Sequence, residues 1–309
     1  MIWLIIFLSF MALLLIGAYI AYSMAFYMPK SARNKTLSLP KNEAGQAAGK
    51  IIEDLIVEME QLPAQEVYIK SFDGTTLFGR YYHVANNAPL QIQFHGYKGS
   101  AFRDFCGGNK LAREMGHNTL LVDQRAHGKS GSSTICFGVR ERYDCKKWVE
   151  YAVNRFGSDI KILLSGVSMG AATVIMASDL DLPSNVKGVI ADCPYSCPKQ
   201  IIKKVCREDM HLPNALCFFA FLGAFIFGKG LRLNSSALKS AKNTKLPILI
   251  LHGEADGFVP CQMSNDIKNI APETVTLHTF EGADHGFSFI ADAKRYKGHI
   301  NDFLKKCLK

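Results

Sequence analysis

The chain has 309 residues, 48% of them hydrophobic, and a formal net charge of +9. This is enough for one α/β-sized domain with a full core plus an appendage, and the absence of repeats or low-complexity tracts excludes solenoid and disordered classes. The basic residues are dispersed and accompany no recognition motif, so no nucleic-acid partner is expected; an anionic membrane leaflet would suffice for the excess charge.

No charged residue occurs from Met1 through Pro29, and Trp3–Tyr27 is almost wholly apolar. Crossing a hydrocarbon core takes about 20 such residues, so residues 1–29 are expected to form a transmembrane anchor. A cleavable signal peptide is the rival reading, with Ala21-Tyr22-Ser23 imitating a cleavage site. The missing basic n-region and the length of the apolar run count against it. Lys30, Arg33, Lys35 and Lys41 follow the span, which by the positive-inside rule puts the remainder in the cytoplasm. The nine cysteines agree, being odd in number and scattered without a paired framework. They form no Cys-x-x-Cys pair or His/Cys cluster with ligand spacing, so neither a metal nor another cofactor is expected.

Residues 30–48 read as a juxtamembrane linker, and 49–309 as the main domain. Ile51, Ile52, Leu55, Ile56, Met59 and Leu62 recur at helical spacing and predict an amphipathic helix ending near Pro63. Val67 and Ile69 alternate before Asp73-Gly74 turns the chain into Leu77–Val84, an antiparallel hairpin. Strand-like runs then alternate with helical ones. The strands are Leu90–Phe94, Thr119–Val122, Ile160–Leu164, Val186–Ala191, Ile248–Leu251 and Val275–Phe280. The helices are Arg103–Met115, Arg140–Phe156, Met169–Asp179, Cys261–Ile270 and Ala291–Leu308. Alternation of this kind predicts an α/β fold with a mainly parallel sheet covered on both faces. An insertion at 196–245 breaks it and contains the charge-free run Leu216–Phe227, expected to be a helical cap over the active-site end of the sheet.

Chemistry enters with Gly166-Val167-Ser168-Met169-Gly170 between a strand and a helix, the pattern of a nucleophile elbow. A serine nucleophile needs a base and a carboxylate to orient it, in the chain order Ser, acid, His for this topology. Asp256 follows the strand Ile248–Leu251, and His285 lies in Gly282-Ala283-Asp284-His285-Gly286 after the last strand. Glu254 is the rival acid and Asp192 a remoter one, while Asp284 reads as a turn residue. His95, His127 and His252 sit in His-Gly pairs and are expected to hydrogen-bond structurally. Oxyanion donors are expected at the backbone amides of Met169 and of Tyr97, the latter in the loop His95–Ser100. The Tyr97 phenol could line the pocket or point to solvent, and Phe221 and Phe225 of the cap are candidate pocket residues.

Together, His95-Gly96-Tyr97, Asp123-Gln124-Arg125-Ala126-His127-Gly128, Gly166–Gly170, His252–Pro260 and Asp284-His285-Gly286 resemble the blocks of the α/β-hydrolase superfamily across about residues 60–309. Within it, the chain looks most like membrane-anchored bacterial hydrolases related to serine aminopeptidase-like and monoglyceride-lipase-like enzymes. The resemblance implies a serine hydrolase and leaves ester, thioester and peptide substrates open. The apolar cap favours a small-molecule ester with a short-to-medium acyl chain, lipid-like esters among the candidates. A non-catalytic binding protein on the same fold is the alternative from another class.

Overall fold

In the computed structural model, which describes residues 1–33 and 43–309, an eight-stranded sheet runs in the order β1-β2-β4-β3-β5-β6-β7-β8. The strands are β1 (Gln65–Lys70), β2 (Thr76–Tyr82), β3 (Leu90–Phe94), β4 (Asn118–Asp123), β5 (Ile162–Val167), β6 (Val186–Asp192), β7 (Ile248–Gly253) and β8 (Val275–Phe280). Strands β1 and β2 form the antiparallel hairpin predicted around Asp73-Gly74, β2 pairs antiparallel with β4, and the rest are parallel. All parallel strands therefore end at one edge, where loops can converge on a ligand.

The helices are α1 (Ile2–Ala25), α2 (Glu43–Glu60), α3 (Ala101–Glu114), α4 (Glu141–Phe156), α5 (Met169–Ala177), α6 (Pro198–Lys204), α7 (Cys217–Phe227), α8 (Ala237–Asn243), α9 (Gln262–Ile270), α10 (Ser288–Ala291) and α11 (Ala293–Cys307). Alternation along buried strands sends side chains to both faces. On β5, Ile162 and Leu164 join the core under α4, α5, α8 and α9, while Leu163 meets Leu111 of α3 with Phe303 and Leu304 of α11. The stripe Cys145, Trp148, Val149 and Ala152 of α4 is fully buried in the first of these cores. The predicted C-terminal helix is broken at Asp292, whose carboxylate accepts from the Arg295 amide and caps α11.

Helix α1 is long and apolar enough to cross a membrane by length and composition. Its last third is not free. Tyr22 and Phe26 are buried, and the Tyr22 hydroxyl shares a hydrogen bond with Thr134 Oγ1 at 2.6 Å. Beyond α1 the Met28 amide donates to the Ser133 carbonyl, and Ile135 returns a bond to Phe26. The Arg33 guanidinium is buried on the carbonyls of Ser130 and Ser132. The expected linker therefore differs at both ends: residues 30–33 are stitched into the domain, and α2 begins at Glu43. Its middle, 34–42, with Lys35 and Lys41, lies outside the described residues.

The expected cap is also redistributed. Of residues 196–245, α8 belongs to the layer packed on α5 and α9, while α7 packs along α1. The fit of α1 to α7 depends on small residues. A Cβ on Gly223 would lie 2.2 Å from the Ala18 carbonyl oxygen, so only glycine lets the two backbones approach there.

Candidate active site

Ser168 sits between β5 and α5 with φ 54° and ψ −113°, a backbone conformation that side-chain-bearing residues adopt rarely and that marks functional strain. The turn is as tight as the sequence requires. A Cβ on Gly166 would stand 2.3 Å from the Gly170 carbonyl, and one on Gly170 would stand 1.8 Å from the Phe94 oxygen. Two backbone bonds, Ser168 N to Asp192 O at 2.8 Å and Ala172 N to Ser168 O at 3.0 Å, hold the elbow against β6 and α5.

The three residues singled out in the sequence converge here. His285 Nε2 is 2.9 Å from Ser168 Oγ, and His285 Nδ1 is 2.7 Å from Asp256 Oδ2. The carboxylate can only accept, so Nδ1 carries the proton and Nε2 is left to accept from the serine hydroxyl. Asp256 is buried and fully satisfied: Oδ1 accepts from the amides of Phe258 and Val259 at 2.9 and 2.7 Å. Burial alone would raise its carboxyl, but hydrogen bonds from His252 and His285 outweigh it and hold the group well below the usual carboxylate range.

His252 hydrogen-bonds structurally, as expected, and does so on Asp256 itself, a partner the sequence reading did not name. Its Nε2 faces two acceptors, Asp256 Oδ2 at 3.2 Å and the Val259 carbonyl at 2.9 Å, so it must be the protonated nitrogen. Its Nδ1 then accepts from Ser264 Oγ at 2.6 Å. A buried second imidazole thus shares Oδ2 of Asp256 with His285. The four-residue interval between His252 and Asp256 on one strand–loop segment was the available signal.

The rival acids point elsewhere. Glu254 accepts from Thr279 Oγ1, Asp284 caps the amides of Gly257 and His285, and Asp192 Oδ2 accepts from the Tyr296 hydroxyl at 2.8 Å. Burial pushes the Asp192 carboxyl up to about 6, and its Oδ1 has no partner among the described residues. Cys193 also lies close, with donor atoms of Cys193, Asp256 and His285 within 4.8 Å of one another. That donor set suits a metal poorly, because burial raises the Cys193 thiol and Asp256 Oδ2 is already shared by two imidazoles.

In the loop after β3, the Gly96 amide donates to Asp104 Oδ2, Lys98 to His127 Nε2 and Gly99 to the Gly96 carbonyl. The Tyr97 amide has no acceptor among the described residues, nor does the Met169 amide at the start of α5. His95 and His127 brace this loop: His95 Nε2 accepts from the Gln124 amide, and the two rings stand edge to face 4.6 Å apart. Tyr97 lines the cavity at Ser168 and His285, and its side chain turns toward α1 rather than into solvent. It stacks on Phe137 and donates its hydroxyl to the Ala25 carbonyl at 2.8 Å, while Lys98 Nζ bonds the Met24 carbonyl at 3.0 Å. The loop is thereby tied to the final turn of α1.

A cavity of about 420 Å³ opens at Ser168 and His285. It runs along α3 from Arg103 to Met115, about 18 Å at the helical rise, between walls from α2, α10 and α11. Ile52, Leu55, Leu111, Phe289, Ile290 and Ile300 make it largely apolar. Phe221 and Phe225 are not in its lining, which corrects the pocket assignment: Phe221 packs on the main core, and Phe225 is 47% exposed on the outer face of α7. Helix α7 is apolar all round, so periodicity could not tell which side faced what.

A family model described as alpha/beta hydrolase fold matches residues 92–216. The esterase Pf2001 of Pyrococcus furiosus superposes with a TM-score of 0.65 at 23% identity, covering 83% of this chain and 94% of that one. The chain has the α/β-hydrolase fold. Est1E of Butyrivibrio proteoclasticus, in a structure with ferulic acid bound, gives a TM-score of 0.60 at 20% identity, covering 78% of this chain and 99% of that one. A curated relative, the uncharacterized protein YqkD of Bacillus subtilis (strain 168), is 26% identical over 254 residues, 81% of this chain and 82% of YqkD.

Proposed function

We propose that this α/β-hydrolase is a membrane-anchored serine esterase that cleaves amphiphilic carboxylic esters through an acyl-enzyme. The hydrogen-bonded series Ser168–His285–Asp256 at the mouth of an apolar trough carries the reading. Ser168 Oγ attacks the ester carbonyl while His285 Nε2 takes its proton, and the amides of Tyr97 and Met169 hold the oxyanion. Collapse expels the alcohol, which leaves with the proton from His285. Water activated by the same nitrogen then releases the acid and restores the serine. Asp256 stays ionised throughout and stabilises the imidazolium.

The acyl chain lies in the trough along α3. Each methylene buried there contributes about 0.8 kcal/mol, roughly a fourfold gain in kcat/KM per methylene until the trough is filled. A side chain at Gly107 would project toward Leu55 and Phe289, at 3.7 and 3.9 Å, and so across the trough. Gly107→Leu is therefore expected to lower kcat/KM for medium-chain p-nitrophenyl esters and leave the acetate ester unchanged. Equal loss at every length would remove the trough from substrate binding. Faster cleavage of aminoacyl p-nitroanilides than of esters would replace the esterase reading with a peptidase.

Retention of α1 is supported by its packing: the segment Ala21–Ser23, where a signal peptide would be cut, lies inside a helix whose Tyr22 is buried against the domain. The basic residues after the span support a cytoplasmic catalytic domain by the positive-inside rule. On intact cells an impermeant thiol reagent is expected to leave Cys307 unlabelled until the membrane is opened; labelling beforehand would reverse the topology.

A further inference from the structure

A hydrocarbon core takes up about 20 helical residues. Placed anywhere along the 24 residues of α1, such a span includes Gly17–Ala21. Those are the residues on which α7 packs. A Cβ on Gly17 would meet the Phe219 ring at 2.8 Å, Gly223 abuts Ala18, and the Phe227 ring lies 5.3 Å from Tyr19. The hydrocarbon boundary on the domain side then falls between Ala21 and Ala25. Gly17, four to eight residues inside it, is about 6–12 Å deep at the helical rise.

Helix α7 goes where its partner goes. The geometry points to α7 as a second membrane-contacting element, whose outer face lies in the acyl region of the leaflet next to the catalytic domain. The proposal rests on the anchor reading above. Its side chains fit that environment: from Cys217 to Phe227 there is no charged residue and no amide or hydroxyl. The small residues Ala220, Gly223 and Ala224 are buried, while Phe218 is 54% exposed, Phe225 47% and Ile226 41%. In water such a face is a liability; at 6–12 Å depth it matches the burial of interfacial amphipathic helices. Cations stand where headgroups would begin. Lys98 Nζ caps the α1 carbonyl of Met24, and the Arg232 guanidinium lies over the Phe225 ring at 5.6 Å. The trough and the oxyanion loop, tied to Met24 and Ala25, are then held at the membrane surface, where an amphiphilic ester can enter without crossing bulk water.

Tryptophan fluorescence tests this on the full chain reconstituted in phosphatidylcholine vesicles brominated midway along one acyl chain. The two native indoles serve as internal standards, Trp3 exposed on α1 and Trp148 buried in the core. Phe225→Trp and Phe218→Trp are made separately, and ester turnover in the same vesicles certifies each fold. The emission added at either position is expected to be blue-shifted and to lose most of its intensity to bromine. If Trp3 is quenched but both added indoles are red-shifted and reached by aqueous acrylamide, the anchor stands and the proposal fails. Added emission that is blue-shifted yet blind to bromine would mean that protein, such as a second copy of the chain, covers the face, which overturns it equally. If Trp3 is not quenched either, the anchor reading falls and the proposal with it.

Discussion

Ser168→Ala is expected to lower kcat for ester hydrolysis by about 10⁶, the scale on which removing the nucleophile of a serine hydrolase acts. The stability of the domain should change little. Ser168 is buried, but among the described residues its hydroxyl hydrogen-bonds only His285, across 2.9 Å, and the positive φ of 54° is no worse for alanine than for serine. The residual rate measures what the Tyr97 and Met169 amides and the trough contribute without covalent chemistry. Steady-state turnover of a medium-chain p-nitrophenyl ester, read beside circular dichroism, checks both statements. A loss of less than about tenfold would mean that another group attacks the carbonyl.

Asp256→Asn is expected to cost about 10⁴ in kcat, because an amide that donates toward His285 Nδ1 forces the proton onto Nε2, where it can no longer receive the serine proton. Glu254→Gln should leave turnover within a few-fold of the parent, since the Glu254 carboxylate bonds only Thr279 among the described residues. The carboxylate of Asp256 also accepts from His252 and two amides, so the asparagine variant should lose some stability as well. Comparing kcat at a temperature well below both unfolding midpoints separates the two effects. Reversed sensitivities of the two acids would move the orienting carboxylate to Glu254.

The fold and the convergence of Ser168, Asp256 and His285 were legible because their signals are local. The elbow needs glycine on both sides of Ser168, and backbone contacts of 2.3 and 1.8 Å show why nothing larger fits. Asp256 and His285 announce themselves by following strands in the required order, and the parallel sheet does the rest by ending all those strands at one edge. The trough wall was not legible. Ile51, Ile52 and Leu55 read as a core stripe, and a stripe does not say which part of it borders a void once α2 leans on α3. Phe221 and Phe225 failed for the complementary reason: a helix apolar on every side gives no phase, and its partner α1 lies some 200 residues away in sequence. Nor could spacing foretell that the Tyr97 hydroxyl would bond the Ala25 carbonyl, since that contact exists only once α1 is docked against the domain.

Covalent capture of the nucleophile tests the central claim most directly. A fluorophosphonate probe added to the full chain in vesicles should add one adduct, found by peptide mass spectrometry on Ser168 alone. Ser168→Ala should take up none, and His285→Ala should react far more slowly, for want of a base. Absence of labelling in the parent, or an equal adduct in Ser168→Ala, would contradict the account.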